Sequence, residues 1–186
     1  MNDEPTVLAV DDEENVADSY KMWLDEYDVR VAYGGEAALD AIDDDIDVVL
    51  LDRMMPNLSG DEVLARVRET GYEVRVAMVT AAEPDVDIID MPFDEYLTKP
   101  VDGPDLRGVV ERLAALSEYD ETVRDTYARA SKVATLESEL GTAELADNEE
   151  YAALRDSLED TDAPPDGLLD DPDLFRAMLD GPGPEE

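Results

Sequence analysis

The sequence predicts an α/β fold: a doubly wound five-stranded parallel sheet with a C-terminal α-helical appendage. Three observations carry that prediction. Short β-branched apolar runs recur between amphipathic stretches, the polar residues that interrupt those runs stand at their carboxyl ends, and a helical pattern continues past the last run.

The runs TVLAV (6–10), VRVAY (29–33), DVVLL (47–51), VRVAMV (74–79) and FDEYL (93–97) read as five strands. Between them, residues 14–27 place Val16, Tyr20, Trp23, Leu24 and Tyr27 on one helical face, and Ala37, Ala38, Leu39 and Ile42 mark a second helix. Val63, Leu64 and Val67 mark a third, and Leu106, Val109, Val110, Leu113 and Leu116 a fifth. The fourth, within 83–91, is weak, because EPDVDIIDM sets a proline and four acids against little apolar surface. Two readings of that weakness stand side by side: a segment kept loose for switching, or an acidic composition that dilutes an ordinary apolar face.

Beyond residue 118, Val123, Tyr127, Ala130, Val133 or Ala134, Leu136 and Leu140 recur at helical spacing up to Gly141, and Tyr151, Leu154 and Leu158 repeat the pattern. These read as two helices, a hairpin or an extended rod. Their apolar stripe is narrow and needs a partner, whether a second copy, the preceding domain or another protein. Three segments result: a domain over 1–118, a helical module over 119–160 and an acidic tail over 161–186. The tail holds a short helix candidate with Asp171 as N-cap, Pro172 in the first turn, and Leu174, Phe175, Met178 and Leu179 before Gly181.

Composition narrows the chemistry. The 186 residues suffice for one ordinary core of ~100–150 residues with an appendage. There is no cysteine and no histidine, so disulfides, thiolate or imidazole metal sites and imidazole acid/base catalysis are excluded. Any such work falls to carboxylates. Net charge is −37 and acids exceed bases on both sides of residue 118, which leaves no basic footprint for nucleic acid. Lysine occurs only at Lys21, Lys99 and Lys132, a pattern expected of proteins that work in concentrated salt. The N-terminal MNDEPTVLAVDDEEN has neither the basic nor the apolar region of a signal peptide, and no apolar run nears the ~20 residues that span a bilayer. A cytoplasmic protein without membrane contact is expected.

Ligands of a doubly wound sheet bind at the carboxyl ends of the strands. Asp11 and Asp12 end the first strand, Asp52 the third, Thr80 the fourth, and Thr98 and Lys99 the fifth. Taken singly, each has an ordinary structural role: Asp11 and Asp12 as a cap before a helix, Tyr96 as a core ring. Together they differ, since three clustered carboxylates repel unless a cation sits among them, and an all-oxygen site suits Mg²⁺. With Lys99 opposite and Thr80 offering a hydroxyl, Asp52 can act as a nucleophile toward phosphorus.

The set VDDEE, LLDRMMPNLSG, MVTA and YLTKP resembles the receiver domain of two-component response regulators, over residues 5 to about 117. The resemblance implies a flavodoxin-like (βα)₅ fold with strand order 2-1-3-4-5 and phosphotransfer from a sensor histidine kinase. It implies Asp52 as phosphoacceptor, Asp12 as a direct Mg²⁺ ligand, Asp11 as an acid acting mainly through water, and the Met54 backbone carbonyl as the third protein ligand. It likewise implies Lys99 as the lysine that pairs with the phosphoryl group, a cis peptide bond between Lys99 and Pro100, Thr80 as the switch hydroxyl, and Tyr96 as the aromatic that follows it inward. In that family the second residues after the phosphoacceptor and after the switch threonine tune hydrolysis. Here they are Met54 and Ala82, apolar both, so slow autodephosphorylation is expected, while small Ala81 leaves room for the donor.

The stretch TLESELGTAELADNEEYAALRDSL is similar to the HalX domain, a helical module that follows receivers in haloarchaeal regulators. The resemblances together imply a phosphorelay response regulator, not a classical enzyme, that signals through a helical output or interaction module. The alternative is a transcription regulator whose module contacts DNA. That reading is disfavoured, because the last segment offers only Arg124, Arg129, Lys132, Arg155 and Arg176 amid excess acid and has no helix-turn-helix pattern. Homodimerisation is expected, if at all, through the face of the fourth helix, fifth strand and fifth helix, or through the C-terminal helices.

Overall fold

The structure, a computed structural model, describes residues 4–160, so the short helix expected around 171–180 lies outside the described residues. Five parallel strands, β1 (Thr6–Val10), β2 (Asp28–Ala32), β3 (Val48–Leu51), β4 (Arg75–Thr80) and β5 (Glu95–Thr98), pair in the order β2-β1-β3-β4-β5. The α/β expectation and its strand order therefore hold. All four residues of β3 are buried, because the central strands are covered on both faces and alternation would put polar groups inside.

Helices α1 (Glu14–Trp23), α2 (Gly35–Ala41), α3 (Gly60–Thr70) and α4 (Gly103–Leu116) make the crossovers. Helix α1 stops short of Tyr27: Leu24 caps it and buries its own side chain, and the chain turns to deliver Asp28 to β2. Capping boxes start two of the others, Ser59 with Glu62 on α3 and Asp102 with Asp105 on α4, so two amides at each of those N-termini meet a side-chain oxygen. The apolar face expected for the helix before residue 117 is α4, whose Leu106, Val109, Val110, Leu113 and Leu116 are all buried.

The β4–β5 crossover departs from the pattern. Residues Val86–Asp90 form one short 3₁₀ turn in place of a helix, and of its side chains only Ile88 is buried. A doubly wound sheet left bare there would expose apolar surface. The cover comes from downstream. Helix α5 (Glu121–Leu145) runs along β5 from one face of the sheet to the other: Val123 and Tyr127 join the core under α1 and α4, and Leu136 and Leu145 join the opposite core with Ile88, Phe93 and Tyr96. Its path also screens β5, the edge strand that would otherwise offer a row of unpaired backbone groups.

At Gly141 the backbone of α5 leaves helical geometry (φ 75°, ψ 153°), and α6 (Glu149–Glu159) follows, capped by Asn148. The two helices form a hairpin, with the Tyr151 hydroxyl bonded to Glu137 and Arg155 3.7 Å from the same carboxylate. The narrow apolar stripe of the C-terminal segment thus finds its partner within this chain. No helix among the described residues is long and apolar enough to cross a membrane.

Candidate functional site

The carboxyl ends of β1, β3, β4 and β5 meet at one edge of the sheet. Parallel pairing puts Val10 beside Leu51 and Thr80 beside Thr98, so the residues just past them are brought together by register alone. The Asp52 amide donates to the Val10 carbonyl (3.0 Å) and the Asp11 amide to the Ala32 carbonyl (3.2 Å), extending the ladder through both acids. These backbone bonds fix where the carboxylates stand.

Asp11 is fully buried, Asp52 is 6% exposed and Asp12 is exposed; each offers a carboxylate oxygen, and all lie within 4.8 Å of one another. Lys99 sets its Nζ 2.6 Å from Asp11 Oδ2 and 3.7 Å from Asp52 Oδ2. Burial pushes the Asp52 carboxyl above the usual carboxylate range, Lys99 pulls it down and Asp11 pushes it up again. The donor set is all oxygen and negative, which fits a hard divalent cation such as Mg²⁺.

The PNLSG loop also serves the site. The Gly60 amide donates to the Arg53 carbonyl (2.9 Å), and a methyl group on Gly60 would lie 2.2 Å from the Asp52 carbonyl oxygen. Only glycine allows α3 to start that close behind the acid. Met54 donates its amide to Asp52 Oδ1 (3.3 Å), and its side chain is 68% exposed over the site. The Lys99–Pro100 peptide bond is cis.

Thr80 is fully buried, with its hydroxyl accepting from the Ala82 amide (3.2 Å) and helping to hold the Asp52 charge. Tyr96 is 4% exposed and donates its hydroxyl to the Ala82 carbonyl (2.6 Å). The ring already stands inside the fold. It stacks at a tilt on Phe93, 5.6 Å between centroids, and Lys132 of α5 lies 5.1 Å over that Phe93 ring while donating to the Ile89 carbonyl (3.0 Å). Contacts thus run unbroken from Thr80 to α5.

Sequence reasoning missed two members. Arg53 ties the loop after β3 to α3 through Asp61 (2.9 Å) and to the 3₁₀ turn through Asp87; burial works against its charge, yet these acids hold its pKa well above the ordinary range. A basic residue beside Asp52 was the available signal. Tyr20 had none, because its buried hydroxyl, unpartnered among the described residues, comes under Asp11 and Asp52 only through the packing of α1.

Comparison with known proteins agrees with this geometry. Residues 7–111 match the family described as the response regulator receiver domain, and residues 115–179 match the HalX domain. A Haloferax volcanii protein named "Putative transcriptional regulator" is 49% identical over 158 residues, covering 84% of this chain; the chain spans only 27% of that relative's length. Among solved structures, a CheY-like receiver domain protein from Methanospirillum hungatei matches at TM-score 0.58 and 26% identity, covering 62% of this chain and 97% of that one. The Thermotoga maritima response regulator protein TrrA, solved with Mg²⁺ and beryllofluoride, matches at TM-score 0.53 and 31% identity over 59% of this chain and 98% of its own. The chain belongs to the response regulator receiver family and carries a HalX domain behind its receiver.

Proposed function

We propose that the protein accepts a phosphoryl group on Asp52 from a histidine kinase, in a Mg²⁺-dependent reaction, and signals by changing how α5 and α6 pack on the receiver. The observation that carries the first half is the convergence of Asp11, Asp12 and Asp52 within 4.8 Å beneath Lys99. One Asp52 oxygen attacks phosphorus while the phosphorus–nitrogen bond to the kinase imidazole breaks; the imidazole leaves with the electron pair and later takes a proton from water. Asp11, Asp12, Asp52 and the Met54 carbonyl would hold Mg²⁺, which supplies positive charge against the phosphoryl oxygens. Lys99 would shift from Asp11 toward the new phosphoryl oxygens, and the Thr80 hydroxyl would leave the Ala82 amide to donate to another.

The route from Thr80 through Ala82, Tyr96 and Phe93 to Lys132 supports the second half. Freed from the Ala82 carbonyl, Tyr96 would shift against Phe93, and the cover formed by α5 and α6 would loosen. The face of the 3₁₀ turn and β5, considered above for dimerisation, is occupied by these helices, so pairing there would follow their release. To test the reading, the full chain in high KCl with Mg²⁺ is treated with a small-molecule phosphodonor, and intact mass is followed for wild type and Asp52→Asn. Gain of one phosphoryl group in the wild type alone supports it; equal labelling of both sinks it. Beryllofluoride with hydrogen exchange then reads α5 and α6, where faster exchange is the expected result.

Because Met54 and Ala82 cannot orient water, the phosphoryl group should persist for many minutes. A half-life of seconds would show that some other residue positions the attacking water. The DNA-contacting alternative draws on the name of the Haloferax volcanii relative. Against it, Arg124 and Lys132 of α5 face the receiver and are largely buried, leaving little positive charge outward.

A further inference from the structure

We propose that a cleft between the receiver and α5, at the end of the sheet opposite Asp52, is a binding site for a small phosphate-bearing anion. The chain holds 51 acids and 14 bases, so a base placed at random is surrounded by carboxylates. Yet five of the bases, Arg68, Arg75, Arg124, Arg129 and Lys132, line one cleft of about 490 Å³.

Their pairing is incomplete. Arg68 is fully engaged, donating to the Pro92 and Val74 carbonyls (2.9 and 2.6 Å) and to Asp94 (3.0 Å). Arg75 shares that same Asp94 through Nη1 (3.1 Å), and its Nε is buried with no partner among the described residues. Arg124 Nε is likewise buried and unpartnered, and its nearest acid, Glu73, stands 3.7 Å away and 81% exposed. Among the described residues, Lys132, 8% exposed, donates to the Ile89 carbonyl, lies over the Phe93 ring and forms no ion pair, and Arg129 pairs with no acid. Glu121 and Asp125 stand exposed in the cleft lining, neither paired with these cations.

A buried cation with unfilled donors is costly, and in a chain so rich in acid it would be easily remedied. Two such guanidinium groups, Arg75 and Arg124, with half-buried Arg129 and the Lys132 ammonium beside them, are the complement of an oxyanion: guanidinium forks match phosphate oxygens two at a time, and the ammonium adds a point charge. Burial holds Arg75 and Lys132 below their ordinary ranges, although Asp94 acts on both in the opposite sense. The volume lies in the ~300–1,000 Å³ range of small-ligand sites, and Tyr72 and Phe93 provide an apolar wall for the rest of a phosphate ester. Arg75 belongs to β4 and Arg124, Arg129 and Lys132 to α5, so a bound anion would tie the HalX segment to the receiver. The cleft is formed without a phosphoryl group on Asp52, so binding there needs none.

The test titrates inorganic pyrophosphate into the full chain in ~1 M KCl with a chelator present, so that the acidic site binds no metal, and reads heat and backbone amide shifts. Saturable binding is expected, with shifts centred on residues 72–75 and 124–132. Joint replacement Arg124→Gln and Arg129→Gln should weaken it by about tenfold or more, while Asp52→Asn leaves it unchanged. Glu73→Gln, which removes the carboxylate nearest Arg124, should tighten binding by about threefold, a gain that misfolding cannot produce. Absence of saturation, equal affinity after loss of both arginines, or no gain on Glu73→Gln would each overturn the proposal.

Discussion

Asp52 is held in place by a sheet that does not favour its charge. Its folded carboxyl titrates above the unfolded one, chiefly through burial, so the ionised form weakens the fold. That cost is absent below the ordinary carboxylate range, grows as pH rises through the raised value, and is constant at neutral pH. In Mg²⁺-free buffer at pH 7, Asp52→Asn should therefore raise the unfolding midpoint by about 2–4 °C, with the gain disappearing toward low pH in paired melting curves. Adding Mg²⁺ should reverse the order by stabilising only the wild type. Gly60 makes a different prediction at the same scale. Gly60→Ala forces a methyl group to 2.2 Å from the Asp52 carbonyl, so it should cost on the order of 2–3 kcal/mol in denaturant unfolding and abolish phosphoryl acceptance even in the folded fraction.

At the scale of elements, α5 takes over the covering work that the β4–β5 crossover cannot do. Leu136 is fully buried in the core that contains Ile88 and Phe93, and Leu136→Ala should cost about 2–5 kcal/mol. The loss should fall unevenly: hydrogen exchange is expected to quicken in α5, α6 and residues 86–90 well before it does in β1 and β3. Uniform quickening would mean that the hairpin and sheet open as one unit. Tyr127 and Arg112 both bond to Glu95 of β5, which anchors the first half of α5 separately from the second. Gly141 then lets the chain turn so that α6 reaches the 3₁₀ turn, in a backbone region that side-chain-bearing residues rarely adopt.

For the whole molecule, a net charge of −37 is a long-range repulsion that every local contact must overcome. Screening shortens its reach from about 10 Å at 0.1 M salt to about 3 Å at 1 M. Thermal stability should accordingly rise steeply with KCl over that range, and NaCl should act almost equally if screening is the cause. A large difference between the two salts at equal ionic strength would point to specific ion binding instead. The repulsion also bears on the placement of bases, since Arg53 and Lys99 each stand between two acids.

The sequence by itself determined the parallel sheet and the cluster at its edge, because strand periodicity and the positions of interrupting polar residues are local properties that parallel register converts directly into proximity; the strand order followed from the resemblance to receiver domains. Asp11, Asp12, Asp52, Thr80 and Lys99 were legible for that reason. The ends of α1 and β5 were not, since they depend on which apolar side chain, Leu24 or Phe93, drops into the core first. Tertiary structure alone decided that the weak fourth crossover is a 3₁₀ turn roofed by α5 and α6. It also decided that Tyr96 is already buried and that five scattered bases share one cleft. Each of these depends on where a helix more than thirty residues away comes to rest, and a narrow apolar stripe specifies that something must cover it without specifying what.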